Sequence, residues 1–434
     1  MNDPNPSEVL PLEELSLLIL CGPSGSGKTE FARRWFRESE IISAEQCSTL
    51  VADQPSPGVY SAQTLSLLET IVDHRLHIGR FTVIDANNLD SDWRRRLIQI
   101  ARHHQVPAYL LIFDVPLQLC LSRKKRQSKK VDTLKITIQH HQANQTLRIA
   151  PQEGFRQIFQ MSDFATEGPL PLKYPLPVHH PHHGPFDIIG DIHGCIHELH
   201  MLLKKLGYQQ GKDTYFHPQG RTIVFLGDLA DRGPKSVDVI KLMLDLHQAG
   251  RALYIPGNHC DKLARYLQGA AVSLNHGIET TVKEFEALPS SERYQISERF
   301  LHIFRQSPPY LMLDNGRVVV AHAGLPERFH GRLSRRIRSF SLYGDVTGEL
   351  DADGYPIRHD WAQKYRGTPL VVYGHTPVLY PKFVNNTLNL DQGCVFGGSL
   401  SAMRYPEREI VSVPSERTYW LSKASRPTDN QTPS

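Results

Sequence analysis

The sequence predicts two successive α/β units joined by a short spacer. Three observations carry that reading. Strand-length apolar runs alternate with amphipathic stretches in both halves, a glycine-rich loop follows the first run, and five glycine-flanked polar motifs follow later runs. At 434 residues the chain exceeds one ordinary core, and 40% apolar with 22% charged residues is a globular composition.

In order, residues 1–14 read as an N-terminal tail and 15–165 as a parallel-sheet α/β unit. Its buried strands are expected at Leu15–Cys21, Phe81–Asp85 and Ala108–Phe113. Residues 166–185, with six prolines and four histidines from Gly168 to Pro185, read as a stiff linker. A second alternating pattern covers 186–413, and 414–434 reads as a flexible tail.

The formal net charge of +4 is too small to argue for nucleic acid by itself. The basic run Arg123–Lys130 is the local exception, suited to the phosphates of ATP or a polynucleotide, or else to a solvated surface. Six cysteines without paired spacing suggest neither a disulfide framework nor a zinc knuckle. With no leader or membrane-length apolar run, the expected location is the cytoplasm.

The first apolar run leads into Gly22-Pro23-Ser24-Gly25-Ser26-Gly27-Lys28-Thr29 and then a helical stretch, Glu30 to Arg37. That context makes the segment a P-loop. Its backbone N–H groups are placed to cradle phosphate oxygens, Lys28 to reach the β and γ phosphates, and Thr29 to hold magnesium. ATP and Mg are the expected ligands.

In the second half, Phe186–Ile189 ends in Gly190-Asp191-Ile192-His193-Gly194, and Thr222–Leu226 ends in Gly227-Asp228-Leu229-Ala230-Asp231-Arg232-Gly233. Ala252–Ile255 ends in Gly257-Asn258-His259, and later strands end at His322 and His375. Each polar residue sits just past a strand's carboxyl end, where open α/β sheets build their sites. Carboxylate, amide and imidazole donors together suit manganese, or nickel, iron or zinc, rather than calcium.

This set resembles the calcineurin-like, binuclear phosphoprotein phosphatase group, which implies an α/β/β/α second domain after a P-loop NTPase domain. The resemblance implies one metal held by Asp191, His193 and Asp228, and another by Asp228, Asn258, His322 and His375. Two ions so placed would activate water and neutralise the attacking and leaving oxygens. Arg232 would clamp phosphate oxygens, and His259, oriented by Asp231, would protonate the leaving group.

Both halves together resemble the bacterial polynucleotide kinase-phosphatases of RNA end repair. The likeness extends to Leu342-Tyr343-Gly344, Trp361–Gly367, Asp391–Gly398 and Arg404–Glu407, over about Leu15 to Val413. It implies removal of 2′ and 3′ phosphates and phosphorylation of 5′ hydroxyls. RNA or DNA termini and ATP would be partners, with sealing left to a separate ligase, no membrane, and a homodimer as an assembly to test. Two departures stand out in the kinase half. Glu45 occupies the place of the family's Asp general base, and Ser48 that of a neighbouring Arg. Asp85, with Asn87, resembles the segment after the kinase's strand, and Arg123 and Arg126 resemble its lid arginines. Two other functions stay open: a protein Ser/Thr phosphatase with a nucleotide-sensing P-loop domain, and a dinucleoside polyphosphate hydrolase, since Gly-Asp-Ile-His-Gly-Cys and His-Ala-Gly also occur in that branch.

Overall fold

The structure, a computed structural model, describes residues 9–53, 60–127, 131–163, 169–350 and 356–421. It divides into two compact units, residues 1–176 with 332–334, and 177–331 with 335–434.

The strands of the first unit are β1 (Val9–Glu13), β2 (Leu17–Cys21), β3 (Ile41–Ser43), β4 (Thr82–Asp85), β5 (Ala108–Ile112), β6 (Gln157–Gln160) and β7 (Leu170–Tyr174). Five of them form a parallel sheet in the order β3-β4-β2-β5-β6. All residues of β2, β4 and β5 are buried, as continuous apolar runs in a covered parallel sheet should be. These are the three strands legible in the sequence, each trimmed by one or two residues.

Two boundary expectations need correction. The supposed N-terminal tail contains β1, and the supposed linker contains β7, and the two pair in parallel from Val9↔Leu170 to Glu13↔Tyr174. Leu10 and Leu12 are fully buried against Leu18, Leu20 and Phe81. The alternation of Leu170 and Leu172 is masked in the sequence by Pro169 and Pro171, which a two-stranded pairing tolerates because each strand keeps an open edge. Farther along the same segment, His182 Nε2 lies 3.1 Å from Thr222 Oγ1, and His183 Nδ1 lies 3.6 Å from Asp314 Oδ1. These histidines pack on ordered strands.

The second unit contains β8 (Phe186–Ile189), β9 (Gln209–Gln210), β10 (Tyr215–Phe216), β11 (Thr222–Phe225), β12 (Ala252–Tyr254), β13 (Tyr310–Leu313), β14 (Val318–Ala321), β15 (Val346–Leu350), β16 (Pro356–Arg358), β17 (Leu370–Tyr373), β18 (Phe383–Val384), β19 (Thr387–Asn389), β20 (Asp391–Gln392), β21 (Ser399–Tyr405) and β22 (Glu409–Pro414). One sheet runs β12-β11-β8-β21-β20 with β22 on β21, and another runs β13-β14-β17-β19-β18. Period-two alternation builds two cores. Phe186, Ile188 and Val224 meet Val318, Val320 and Val372 of the other sheet, while Ile189, Ile223 and Phe225 face the helices that flank the first sheet. The result is two sheets packed face to face, with the carboxyl ends of β8, β11, β12, β14 and β17 carrying the motifs read from the sequence.

Ile188 is fully buried between the sheets. Ile188→Ala is therefore expected to cost about 2–5 kcal/mol, read as a lowered urea midpoint for this unit. A change under about 0.5 kcal/mol, the usual size for surface positions, would contradict the shared core.

Candidate active site

Asp228 follows β11 and is almost fully buried. Its main-chain carbonyl accepts from the N–H of Ile192 (3.1 Å) and of His193 (2.9 Å), which ties the β8 loop to the β11 loop. Five of the polar residues picked from the sequence have left-handed backbones: His193 (φ 46°), Asp228 (φ 37°), Asp231 (φ 77°), Arg232 (φ 70°) and His375 (φ 73°). Such conformations are costly for residues with side chains and concentrate at functional sites. Close approach also requires glycine at 257, where a Cβ would collide with the carboxylate and amide of Asp228.

Side chains from both sheets converge around that carboxylate. His322 Nε2 lies 3.3 Å from Asp228 Oδ2, 3.0 Å from Asn258 Oδ1 and 3.2 Å from His375 Nδ1. His375 Nδ1 is 2.9 Å from Asn258 Oδ1. Nδ1 of His322 is placed to donate to Leu226 O (3.2 Å), so its Nε2 is the atom turned to these oxygens and nitrogens, where it carries either a proton or a lone pair for a cation. On the other side, His193 Nδ1 is placed to donate to Ala230 O (2.8 Å), and its Nε2 lies 3.7 Å from Asp228 Oδ2. Asp191 uses Oδ2 to accept from the amide of His375 (3.0 Å), while its buried Oδ1 and the buried Nε2 of His375 have no hydrogen-bond partner among the described residues.

The electrostatics follow from that crowding. Burial pushes His322 down, but the carboxylates of Asp228 and Asp191 outweigh it and hold the imidazole at about 9. Burial alone would raise Asp228, yet His322 and His259 keep it well below the usual carboxylate range. Asp191 is driven well up by burial and by Asp391, and Asp391 itself is raised to about 6, mainly by burial. His193 and His375 are pushed well down by burial and by neighbouring positive charge. A cluster that draws a proton onto one imidazole this strongly is one that favours a cation.

His259 is oriented as the sequence suggested: Nδ1 lies 2.7 Å from Asp231 Oδ2. Asp231 is fixed in turn by Thr281, whose hydroxyl donates to Oδ1 (2.7 Å), and by Ser236 Oγ, which accepts from its backbone N–H (3.0 Å). Arg232 donates from Nη1 to His193 Nε2 (2.9 Å) and lies 5.3 Å over the Phe396 ring. A cleft of about 560 Å³ opens on these groups, lined also by Lys262, His276, Arg358, Thr376, Pro377 and Trp420. None of Thr281, Lys262, His276, Arg358 or Trp420 belongs to a motif visible in the sequence.

The expected C-terminal tail contributes to this wall and needs correction. Ser415 N–H donates to Gly398 O (2.8 Å), and the N–H groups of Tyr419 and Trp420 both donate to Val395 O (3.0 Å each). Buried Glu198 accepts through Oε1 from Glu416 N–H (3.0 Å) and Tyr419 O–H (2.9 Å). Backbone and polar side-chain bonds, rather than apolar periodicity, hold residues 415–420; residues 422–434 lie outside the described part.

In the first unit, the loop from Gly22 joins β2 to the helix Lys28–Trp35. Lys28 is buried, donates to the carbonyls of Gly22 and Pro23 (2.8 Å each), and is lowered to about 8 by desolvation. Thr29 Oγ1 donates to Asp85 Oδ1 (3.2 Å), Ser24 N–H to Gln139 Oε1 (2.9 Å), and Arg123 Nη1 to Ser26 O (3.1 Å). A cleft of about 430 Å³ is lined by Ser24, Gly25, Gly27, Lys28, Thr29, Glu45, Asp85, Asn87, Arg123 and Arg126, with Tyr60 and Lys124. Gly22 and Ser26 complete the loop, Ser26 Oγ lying 3.4 Å from Lys28 Nζ. Ser48 is buried in the helix Ala44–Ala52 and does not line this cleft. Residues 128–130 of the basic run lie outside the described part.

Comparison with known proteins bears on both units. A family model described as an AAA domain matches residues 17–150, and one described as a calcineurin-like phosphoesterase matches residues 184–379. A bis(5′-nucleosyl)-tetraphosphatase PrpE (asymmetrical) of Anoxybacillus flavithermus is 51% identical over 244 residues, covering 56% of this chain and 99% of the relative. The chain belongs to the calcineurin-like phosphoesterases. Proteins of the same printed name from Oceanobacillus iheyensis and Bacillus cereus are each 52% identical, over 237 and 231 residues, covering 55% and 53% of this chain and 95% and 94% of theirs. These relatives carry the name of a dinucleoside tetraphosphatase, not of a polynucleotide kinase-phosphatase.

A calcineurin-like phosphoesterase is a metal-dependent phosphatase, and the residues present fit divalent ions. Two orphaned buried acceptors and a knot of lone pairs around Asp228 are the signs of it. His193, Asp228 and His259 form one group of clustered donors, and Asp228, His322 and His375 another, so Asp228 is common to both. Among the described residues no helix is long and apolar enough to cross a membrane.

Gly257→Ala is expected to lower phosphatase activity about 100-fold, the scale of an ångström-sized misplacement at a reacting centre, with the far-ultraviolet circular dichroism unchanged. Wild-type rates in that variant would show that the position of Asp228 does not matter.

Proposed function

We propose that the second unit hydrolyses dinucleoside tetraphosphates asymmetrically, releasing a nucleoside triphosphate and a nucleoside monophosphate. The observation that carries this reading is the 51% identity to a protein of that printed activity over 99% of its length. The cleft chemistry is consistent with it. Arg232, Lys262 and Arg358 bring three cationic side chains to the cleft that holds Asp228, a density suited to a polyphosphate chain. Asp191, His193, Asp228, Asn258, His322 and His375 would hold two divalent ions, with manganese suited to the mixed oxygen and nitrogen set. Such ions, when bound, polarise water and withdraw charge from phosphate oxygens. His259, paired through Nδ1 with the Asp231 carboxylate, would carry a second proton at Nε2 and deliver it to the departing phosphate oxygen. Arg232 is positioned to neutralise oxygens of the phosphate under attack.

For the first unit the reading is a nucleotide site that takes ATP with Mg. Lys28 and Thr29 would face the phosphates, and Arg123 and Arg126 would close over them. Polynucleotide end healing is a second reading, and one observation favours it: Glu45 lines the same cleft as Lys28 and Asp85, where an acceptor hydroxyl would give up its proton.

The test is a substrate panel with manganese: diadenosine tetraphosphate, an oligoribonucleotide ending in a 3′ phosphate, and a 5′-hydroxyl oligoribonucleotide with ATP. The expected kcat/KM for the dinucleotide exceeds that for the 3′-phosphate end by at least about 100-fold, a separation of about 2.7 kcal/mol in transition-state binding. The opposite order, with ATP-dependent gain of a 5′ phosphate, would replace the first reading with end healing.

A further inference from the structure

A cleft that served only a phosphate ester would need cations and metal ligands, yet one wall here is aromatic. Phe396 and Trp420 both line it, and both are only half-buried. They come from different segments that are bound together. The amides of Tyr419 and Trp420 share the carbonyl of Val395, the residue before Phe396, which ties the two segments together beside the cleft. The strap that carries Trp420 is anchored on the fully buried carboxylate of Glu198 through Glu416 N–H and Tyr419 O–H. Two aromatic side chains carried to one cleft on backbone held in this way offer a prepared platform, because little of the chain must be ordered when a flat ligand stacks there.

Its position says what the flat ligand is. The Arg232 guanidinium lies 5.3 Å over the Phe396 ring while its Nη1 is 2.9 Å from His193 Nε2. One side chain therefore spans from the aromatic wall to the metal-donor cluster, and a ring stacked on the wall would sit a few ångströms from phosphates at Arg232. A nucleobase joined through its sugar to a phosphate chain has that geometry, and about 560 Å³ is room for more than phosphate alone.

We infer that Phe396 and Trp420 form the nucleobase subsite of the phosphatase cleft and that residues 415–420 exist to present Trp420 to it. The inference rests on the dinucleoside reading of the site. It makes the C-terminal strap a determinant of specificity: it selects nucleotides from other phosphoesters without touching the reacting phosphorus.

The experiment compares kcat/KM for diadenosine tetraphosphate with kcat/KM for p-nitrophenyl phosphate, in full-length wild type, Trp420→Ala and Trp420→Phe. Stacking on an aromatic ring predicts that the ratio of the two falls about 5- to 100-fold in Trp420→Ala, chiefly through KM for the dinucleotide. Trp420→Phe keeps a ring and should hold the ratio within about threefold of wild type. If both substrates lose rate in proportion, so that the ratio is unchanged in Trp420→Ala, the tryptophan is only packing and the inference falls while the dinucleoside reading stands. If Trp420→Phe loses as much selectivity as Trp420→Ala, stacking is likewise overturned. Wild type that cleaves p-nitrophenyl phosphate but not the dinucleotide would overturn the reading and the inference with it.

Discussion

The arrangement around Asp228 crowds oxygen and nitrogen donors from both sheets onto one buried carboxylate. Asp228 Oδ2, Asn258 Oδ1, His322 Nε2 and His375 Nδ1 crowd within 3.3 Å of at least one neighbour in the set, and His322 already directs its other nitrogen to Leu226 O. In a buried site this costs free energy unless a cation sits among the acceptors. Much of the second unit serves to enforce that unfavourable convergence. Left-handed backbone at His193, Asp228 and His375, and glycine where Asp228 needs space, are local costs carried by the two packed sheets.

The sheets can carry such costs because their alternation leaves no slack. Ile188 faces the opposing sheet, Asp187 and Ile189 the other way, so a one-residue slip of β8 would bury the wrong face and move Asp191 off the cluster. Asp187 also holds Arg221 at 3.0 Å, an ion pair buried at the start of the strand. The register of β8 is thus fixed at both ends: a salt bridge at the entry and, at the exit, the Ile192 and His193 amides on the Asp228 carbonyl. His322 and His375, carried by the second sheet, meet it through the shared apolar layer.

What could be read from the sequence was whatever local geometry demands. Each polar motif of the site combines an apolar run with an adjacent glycine, because the chain must leave a strand and turn sharply, and that leaves a local mark. The P-loop is legible for the same reason. Long-range contacts leave no such mark: Thr281 reaches Asp231 across 50 residues, and Lys262, Arg358 and Trp420 come to the cleft from elements with no motif. Strands β1 and β7 are hidden in the sequence because prolines interrupt their alternation. The strap at 415–420 looks like a tail in sequence because its order comes from backbone and carboxylate hydrogen bonds that composition does not report. The motifs also specify phosphoester chemistry more sharply than substrate, since they gather at one buried centre while selectivity lies in the surrounding wall.

A donor cluster built for two divalent cations should bind them in the metal-free protein. The direct measurement is a calorimetric titration of metal-free protein with manganese, in the absence of nucleotide, for wild type and Asp228→Ala. The account predicts close to two ions per chain for wild type and loss of both strong sites when the shared carboxylate is removed. Wild type that binds less than one ion, or an Asp228→Ala protein that binds two as tightly, would contradict it.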